Sequence, residues 1–396
     1  MPKEVTVDME KIIENIDQLS SRSQVYEVSR KLLNILMAKE REIKLRDDLT
    51  NKANGYYERQ LVTELGNMDI SVPRDRKGEF RPSVLPEPWQ RHDKGYNNLL
   101  TNLVLSSYTP NQIKNLLREM QLPYSPEEIK ELKEELYQKA TEFRNRELPS
   151  DVFAIYIDAY HTDIKNDENR ISKAVIYTIL GIDMEGNKNV YGYYTFFGTE
   201  TKKDWLVILN NLISRGLKRV MLVVSDDFSG LADAIKVLFP KSEHQLCFVH
   251  MQRNVKRHMS KEDARLFNNQ LSILRRQSNY EDVLSKFIQL CEQYINKYPH
   301  FIKSLKKKKE LYFSFLKYPH AVQKHIYTTN PVENLNSRIE VSRVKAGGYF
   351  QSVKTAETTL FVVFTNIHKN KWKKPLYAFR TASYEIQQLF NSKFLS

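Results

Sequence analysis

The first 150 residues alternate between apolar side chains at helical spacing and short polar breaks. Residues 24–51 carry apolar side chains among charges, and residues 61–73 alternate like a short strand pair. Residues 110–120 and 126–145 each begin with a proline, as helices often do, and residues 121–124 join them. We therefore predict a helical segment over residues 1–54 and, over residues 55–150, a small β element followed by a helix-turn-helix.

From residue 151 the pattern becomes that of a mixed α/β domain. Continuous apolar runs at residues 152–157 and 220–225 predict buried strands, and strand patterns at 174–182 and 190–196 flank a turn. Further patterns predict helices at 204–215 and 230–239 and a strand at 245–249. The resulting order, β-β-β-α-β-α-β, is that of a ribonuclease H-like fold, which requires one more helix.

A basic segment without strand alternation lies between the last predicted strand and that helix. Residues 250–327 predict an all-α insertion, and the delayed helix is predicted at 331–345, with Asn330 as its cap. The predicted catalytic core therefore comprises residues 151–249 and 328–375. Residues 376–396 are predicted to be a C-terminal tail.

Three acidic residues are predicted to meet at one end of this core. Asp158 and Asp226 each end a predicted buried strand, where sites of open α/β sheets form, and Glu333 opens the last helix. Each aspartate taken alone is also an ordinary turn residue. Asp227 is a rival for the second position, and Asp163, predicted to lie in a loop past the strand end, is a rival for the first.

Carboxylates without positive partners nearby in sequence repel one another, so their convergence would need a cation. Three of them suit two Mg²⁺ or Mn²⁺ ions, whereas an all-oxygen ligand set disfavours zinc.

The distribution of charge along the chain indicates a class of partner. The chain carries a net charge of +13, with −3 in residues 1–239, +10 in residues 240–327 and +6 in residues 328–396. Such segregation favours a polyanion such as double-stranded DNA, although a solvated basic surface is the alternative. The two cysteines, and the absence of a signal peptide or a long apolar run, predict a cytoplasmic protein without a membrane segment.

The second half also contains four distinctive segments: Ile157-Asp158-Ala159-Tyr160, Val224-Ser225-Asp226-Asp227-Phe228-Ser229-Gly230-Leu231, Cys247-Phe248-Val249-His250-Met251-Gln252-Arg253-Asn254, and Tyr327-Thr328-Thr329-Asn330-Pro331-Val332-Glu333-Asn334-Leu335-Asn336-Ser337-Arg338-Ile339. Together with residues 63–66 and 72–80, they resemble the motifs of the mutator-type family of bacterial insertion-sequence transposases. The resemblance extends over about residues 55–375.

This resemblance implies that Asp158, Asp226 and Glu333 form a DDE catalytic triad on a ribonuclease H-like core with a helical insertion. It also implies binding to the terminal inverted repeats of the element, a replicative route through a circular intermediate, and a dimer that holds two ends. Asp227 departs from the family, which usually has glycine there. The acidic start of the helix at 126–145 also departs from a DNA-reading helix, so this helix either contacts DNA or packs against protein.

Cys247 and His250 match the family's Cys-x-x-His signature. A second pair of ligands for structural zinc is missing from the sequence, so we weigh a buried thiol with a hydrogen-bonded histidine against a role of His250 at the phosphate or a carboxylate. Several basic residues near the predicted site are candidates for DNA contacts, with plain surface charge as the alternative: Arg253, Lys256, Arg257, Arg275, Arg276, Arg338, Arg343 and Lys345.

The function predicted from these patterns is metal-dependent DNA cleavage followed by strand transfer. A DNA-binding protein with an inactive core is an alternative of another class, against which the three retained carboxylates argue. A nuclease without strand transfer differs from a transposase only through the family resemblance.

Overall fold

The structure is a computed structural model that describes residues 21–48, 50–63, 65–86, 94–105, 108, 110–120, 122–198, 201–345 and 347–395. Residues 1–20 of the predicted N-terminal helical segment lie outside the described residues. The chain divides into two compact units, Met1–Glu135 and Leu136–Ser396. The finer predicted division into six segments stays a prediction.

The first unit begins with a helix packed on a hairpin. Helix α1 (Arg22–Asp47) starts at a capping box in which Ser21 and Gln24 exchange hydrogen bonds. Strands β1 (Ala53–Thr63) and β2 (Gly66–Asp75) pair antiparallel, so the predicted small β element is confirmed. Apolar side chains of α1 and the hairpin form one cluster, which contains Met37, Leu61, Met68, Ile70 and Val72.

Three further helices follow: α2 (Lys94–Leu105), α3 (Pro110–Glu119) and α4 (Pro126–Asn145). The two helices predicted for the helix-turn-helix are therefore present, and their facing apolar side chains share a core that contains Ile113, Leu117 and Ile129. Glu127 and Glu131 on α4 are exposed. The DNA-reading role of this helix pair stays a prediction.

A five-stranded mixed sheet forms the centre of the second unit. Its spatial order is β5-β4-β3-β6-β7; β3 pairs antiparallel with β4 and parallel with β6. The predicted chain order of strands and helices is confirmed, with these bounds: β3 (Asp151–Lys165), β4 (Ile171–Ile182), β5 (Lys188–Phe197), α5 (Lys202–Ser214), β6 (Arg219–Ser225), α6 (Leu231–Leu238) and β7 (Glu243–Leu246).

Strand β3 is longer than the sequence pattern predicted. Its parallel pairing with β6 stops at Ile157 and Ser225, but its antiparallel pairing with β4 continues to Lys165. Asp158 therefore lies within a strand, at the point where one neighbour stops. Asp163, predicted to lie in a loop past the strand end, belongs to β3 because the hairpin with β4 extends the strand across polar residues.

The predicted end of the strand at 245–249 is also wrong. β7 stops at Leu246, and helix α7 (Phe248–His258) begins two residues later. Phe248, Met251 and Val255 are all buried at helical spacing, and this face outweighs the short apolar run that resembled a strand.

The segment predicted to be all-α is helical throughout. It comprises α7, α8 (Lys261–Leu274), α9 (Tyr280–Tyr294), α10 (Pro299–Lys307), α11 (Lys309–Phe313), a 3₁₀ turn (Ser314–Lys317) and α12 (His320–Ile326). Phe267, Phe287 and Phe313 from this segment share one apolar cluster with Phe153 and Tyr156 of β3. The helices therefore complete the core of the sheet on one face, because the sheet's apolar face and theirs cover each other.

Four helices end the chain: α13 (Asn330–Lys345), α14 (Val353–Asn370), α15 (Tyr377–Thr381) and α16 (Ser383–Phe394). Asn330, predicted to cap α13, is instead its first helical residue, and the Thr329 carbonyl accepts from the Glu333 N–H. The residues predicted to be a tail are packed: Phe379 lies edge-on against Phe153, with ring centroids 4.8 Å apart. Among the described helices, none combines the length and apolarity needed to cross a bilayer.

His244 on β7 is held neutral in the core. Its Nε2 lies 2.8 Å from the Ser225 hydroxyl, which donates to the Asp226 carbonyl, so Nε2 carries the proton. Burial lowers the pKa of His244 from 6.5 to about 4.

We expect His244 to make the fold less stable in acid. Below pH 6.5 the unfolded chain takes up a proton at this residue, but the folded protein does not until about pH 4. The stabilisation by neutral His244 is thus lost as pH falls, by about 2 kcal/mol between about pH 7.5 and about pH 5. Urea unfolding should show a pH dependence weaker by this amount in His244→Gln; equal pH dependence in both proteins would contradict the assignment.

Candidate active site

The structure brings the three predicted carboxylates to one open cleft with a volume of about 700 Å³. Asp158 comes from β3 and Asp226 follows β6 directly, so the adjacent parallel strands place both at the same edge. Glu333 reaches this edge from the first turn of α13, which packs on β3. The cleft lies entirely within the second unit.

Asp158 is the buried member of the three, with 6% of its surface exposed. One carboxylate oxygen accepts from the Ala159 N–H at 2.9 Å, and the other accepts from Asn336 Nδ2 at 2.6 Å. Burial, reinforced by the Asp226 and Glu333 charges, raises the pKa of Asp158 to about 7 against the opposing effect of the Ala159 N–H. The site thus contains a carboxylate whose negative charge is incompletely compensated.

Asp226 faces His250 from α7. Its Oδ1 contacts His250 Nδ1 and lies 3.5 Å from the Thr329 hydroxyl. Burial by itself lowers the pKa of His250, but the contacts with Asp226 and Cys247 outweigh burial and raise the pKa to about 10. The Arg253 guanidinium, 2.7 Å from Nε2, opposes this shift because it donates to His250 only while Nε2 carries no proton.

Glu333 is held by Arg253. The two guanidinium nitrogens of Arg253 donate to the two carboxylate oxygens at 2.8 and 3.3 Å, and His250 Nε2 lies 3.4 Å from Glu333 Oε1. The carboxylates, which have no positive partner nearby in sequence, thus gain one from a distant part of the chain. Helix α7 supplies two partners, because residues three apart share a helix face and this face points to the cleft.

Cys247 ties the start of α13 to the end of β7. Its buried sulfur accepts hydrogen bonds from the Thr329 N–H at 3.4 Å and the Thr329 hydroxyl at 3.2 Å, and it lies 3.6 Å from the Thr328 hydroxyl. Burial alone would raise the pKa of Cys247, but hydrogen bonds from His250 and Thr329 hold it below its ordinary value.

Asp226, Cys247 and His250 also form a group whose ligand atoms lie within 4.8 Å of one another. Within this group, Asp226 Oδ1 contacts His250 Nδ1 and the Cys247 sulfur accepts from Thr329, so the three ligand atoms already have contacts within the protein. The contacts thus favour a hydrogen-bonded thiol and histidine over a metal site at this group.

The rival aspartates have partners elsewhere. Asp227 forms an ion pair with Lys308, and Asp163 forms one with Lys173 at 3.0 Å. Asp227 also lines the cleft, but its pairing with Lys308 directs it away from the contacts that Asp226 makes. The geometry therefore favours Asp226 over Asp227 as the second acid.

The basic candidates on α7 differ in their surroundings. Arg253 contacts Glu333, Arg257 lines the cleft one turn further along, and Lys256 is exposed beside it. Arg257 and Lys256 are therefore placed to meet a ligand that enters the cleft.

The other basic candidates are more dispersed. Arg275 is half-buried with its guanidinium 4.6 Å from the centre of the Tyr327 ring, whereas Arg276 is exposed. Arg338 lines a separate cavity, and Arg343 pairs with Glu340 at 2.6 Å. The side chain of Lys345 lies outside the described residues. DNA contacts by these residues stay predictions.

Two site residues were not predicted from the sequence: Asn336, which donates to Asp158, and Thr329, which links Asp226 to Cys247. A signal for Asn336 was present, because it lies three residues after Glu333 and so shares its helix face. The role of Thr329 depends on a contact across 82 residues of sequence and had no local signal.

A mixed sheet with three acidic side chains at one edge, in a chain whose second half is strongly basic, defines an α/β protein with an acidic cleft. The family model for transposases of the Mutator family matches residues 4–375, and the chain belongs to this family. The predicted resemblance is thereby confirmed.

Individual relatives are similar along most of their length. The transposase for insertion sequence element IS905 of Lactococcus lactis is 26% identical, covering 86% of each chain, and that for IS1201 of Lactobacillus helveticus is 28% identical, covering 78% of this chain and 82% of its own. The transposase for IS256 in transposon Tn4001 of Staphylococcus aureus is 25% identical over 84% and 85%.

Among solved structures, a Drosophila P element transposase strand transfer complex is 14% identical and covers 78% of this chain and 88% of its own. Its TM-score of 0.29 is too low to support a shared fold.

We expect Cys247→Val to destabilise the protein more than Cys291→Val. Valine at position 247 leaves the buried Thr329 N–H without its acceptor, at a cost of about 1–3 kcal/mol. Cys291 lies in the apolar core, where the same substitution should cost less than about 1.5 kcal/mol. Urea unfolding of the two variants measures the difference, and equal costs would show that the Cys247 hydrogen bonds contribute little.

Proposed function

We propose that the protein is an insertion-sequence transposase in which Asp158, Asp226 and Glu333 form a DDE catalytic triad for DNA cleavage and strand transfer. The observation that carries the proposal is the convergence of these three carboxylates, from distant parts of a Mutator-family chain, in one open cleft. An inactive core would have no physical reason to keep three mutually repelling acids together.

We further assign the core to the ribonuclease H-like fold. The assignment is supported by the strand order β5-β4-β3-β6-β7, by an antiparallel first half and a parallel second half, and by a helix that follows the sheet and carries the third acid. The helical segment between β7 and α13 then corresponds to an insertion before the last core helix.

The donor set fits divalent metal. Carboxylate oxygens are the ligands that Mg²⁺ and Mn²⁺ prefer, and the raised pKa of buried Asp158 marks negative charge that a cation would compensate. Asp158, Asp226 and Glu333 would hold two such ions. When bound, these ions would activate the attacking hydroxyl and stabilise the leaving oxygen of an in-line displacement.

The neighbouring side chains orient the acids for this task. Asn336 and the Ala159 N–H fix the rotation of the Asp158 carboxylate by each donating to one oxygen. His250 contacts Asp226 from the other side. Asp158 and Asp226 therefore need little reorganisation when DNA enters.

DNA is the proposed partner. The relatives are transposases for insertion sequence elements, and the net charge of +16 over residues 240–396 suits the phosphate backbone. On the same family grounds we propose binding to terminal inverted repeats, a circular intermediate, and a homodimer that holds two element ends.

We expect Asp226→Asn to abolish Mg²⁺-dependent cleavage and strand transfer while DNA binding stays within about twofold, since one neutralised ligand removes metal affinity but no DNA-facing cation. Asp227→Asn is the matched control and should keep most activity, because Asp227 is paired with Lys308. A labelled element end with Mg²⁺ reports both steps. Undiminished cleavage by Asp226→Asn would refute the triad, and cleavage without strand transfer in the unchanged protein would identify a nuclease.

We expect Lys256→Ala combined with Arg257→Ala to weaken DNA binding and to reduce the salt dependence by about one to two phosphate contacts. The affinity for an element end is measured over a range of salt concentrations. Arg276→Ala serves for comparison, because it removes a single positive charge from the neighbouring helical segment. Arg275 is unsuitable for this comparison because its guanidinium packs on Tyr327. An unchanged salt slope in the double variant would mean that this face of α7 does not contact DNA.

A further inference from the structure

Arg253 forms an ion pair with Glu333, the third acid of the site. Its guanidinium is bidentate on Glu333, with one nitrogen at 2.8 Å from Oε1 and the other at 3.3 Å from Oε2. The side chain of Glu333 is 27% exposed and that of Arg253 is 47% exposed, so the pair lies at the border of the cleft and solvent. Both oxygens of this carboxylate are thereby engaged by one cation of the chain itself.

This contact has a consequence for metal binding. If Glu333 is a metal ligand, as the proposed function holds, a metal ion and the guanidinium need the same oxygens and carry charge of the same sign. The guanidinium uses one lone pair on each Glu333 oxygen, and its positive charge repels a divalent ion at the lone pairs that remain. The Arg253 contact therefore disfavours metal binding at Glu333, and metal binding in turn weakens the contact.

We propose that Arg253 is a built-in counter-ion, which holds Glu333 in the metal-free protein and competes with the divalent metal for it. The proposal rests on the proposed function of Glu333. In the metal-free protein, Arg253 and His250 reduce the repulsion among the three acids, so the cleft stays assembled before metal arrives. Arg253 is thus a positioning residue that tunes metal affinity through Glu333.

A second arginine on helix α7, Arg257, provides a matched control for this proposal. Arg257 lies one turn after Arg253 and lines the same cleft, and its substitution removes the same charge from the same helix. Loss of charge alone would make both substitutions favour metal binding, with the larger effect at Arg253 because it lies nearer Glu333. Competition for Glu333 predicts an effect confined to Arg253, and Arg253→Lys tests whether the two-pronged contact contributes beyond the charge.

The experiment measures Mn²⁺ binding to the full chain without DNA, with the free ion followed by electron paramagnetic resonance. We expect Arg253→Gln to bind Mn²⁺ roughly threefold to fivefold more tightly, as removal of a partly exposed ion pair predicts. Arg257→Gln should stay within about twofold of the unchanged protein. Weaker Mn²⁺ binding by Arg253→Gln, or the same affinity for both variants, would overturn the proposal.

Arg253→Lys keeps the charge but loses the two-pronged contact. Its Mn²⁺ affinity should lie between those of Arg253→Gln and the unchanged protein. Binding as tight as that of Arg253→Gln or tighter, or weaker than that of the unchanged protein, would overturn the proposal.

A Glu333→Gln variant separates this idea from the proposed function. If Glu333→Gln weakens Mn²⁺ binding but Arg253→Gln does not strengthen it, the metal site stands and the counter-ion role is refuted. If Glu333→Gln leaves Mn²⁺ binding unchanged, Glu333 is not a ligand, and both proposals are refuted. Near-ultraviolet circular dichroism checks that each variant keeps its tertiary packing.

Discussion

Repulsion among Asp158, Asp226 and Glu333 is the constraint around which the second unit is arranged. Three carboxylates at one cleft are tolerated only where other groups compensate them. The structure does this with one amide, one imidazole and one guanidinium, from Asn336, His250 and Arg253. Each acid has its own partner, but the partner of buried Asp158 is a neutral amide, so burial and the neighbouring acids raise its pKa to about 7. The acidic cleft is therefore assembled but not neutralised.

Helix α7 connects this balance to the rest of the molecule. Its start is joined to Thr329 through Cys247, its first turns direct His250 and Arg253 to the acids, and its later turns carry exposed basic side chains beside the cleft. The opposite face is buried against the aromatic core that the helical segment shares with the sheet. A single amphipathic helix therefore couples the fold of the core, the charge of the acids and the positive surface.

Much of the site was predictable because strand ends and helix starts leave local signals. The apolar runs before Asp158 and Asp226 predicted buried strands, and the proline after Asn330 predicted the start of the helix that carries Glu333. The same local signals failed where pairing with a distant strand decided the outcome. The extension of β3 beyond Asp158 depends on pairing with β4. No apolar run predicts this extension, because the last residues of β3 are largely polar.

By itself, the sequence determined the order of strands and helices around the sheet, the segregation of positive charge and the candidate acids, because periodicity, composition and motif are properties of the chain alone. Only the tertiary structure decided which cation faces which acid, and that Asp226, not Asp227, faces the histidine. Contacts such as Arg253 with Glu333, and Cys247 with Thr329, join residues about 80 positions apart. No local pattern encodes such pairs; the physical reason is that packing of the helical segment on the sheet brings them within hydrogen-bonding distance.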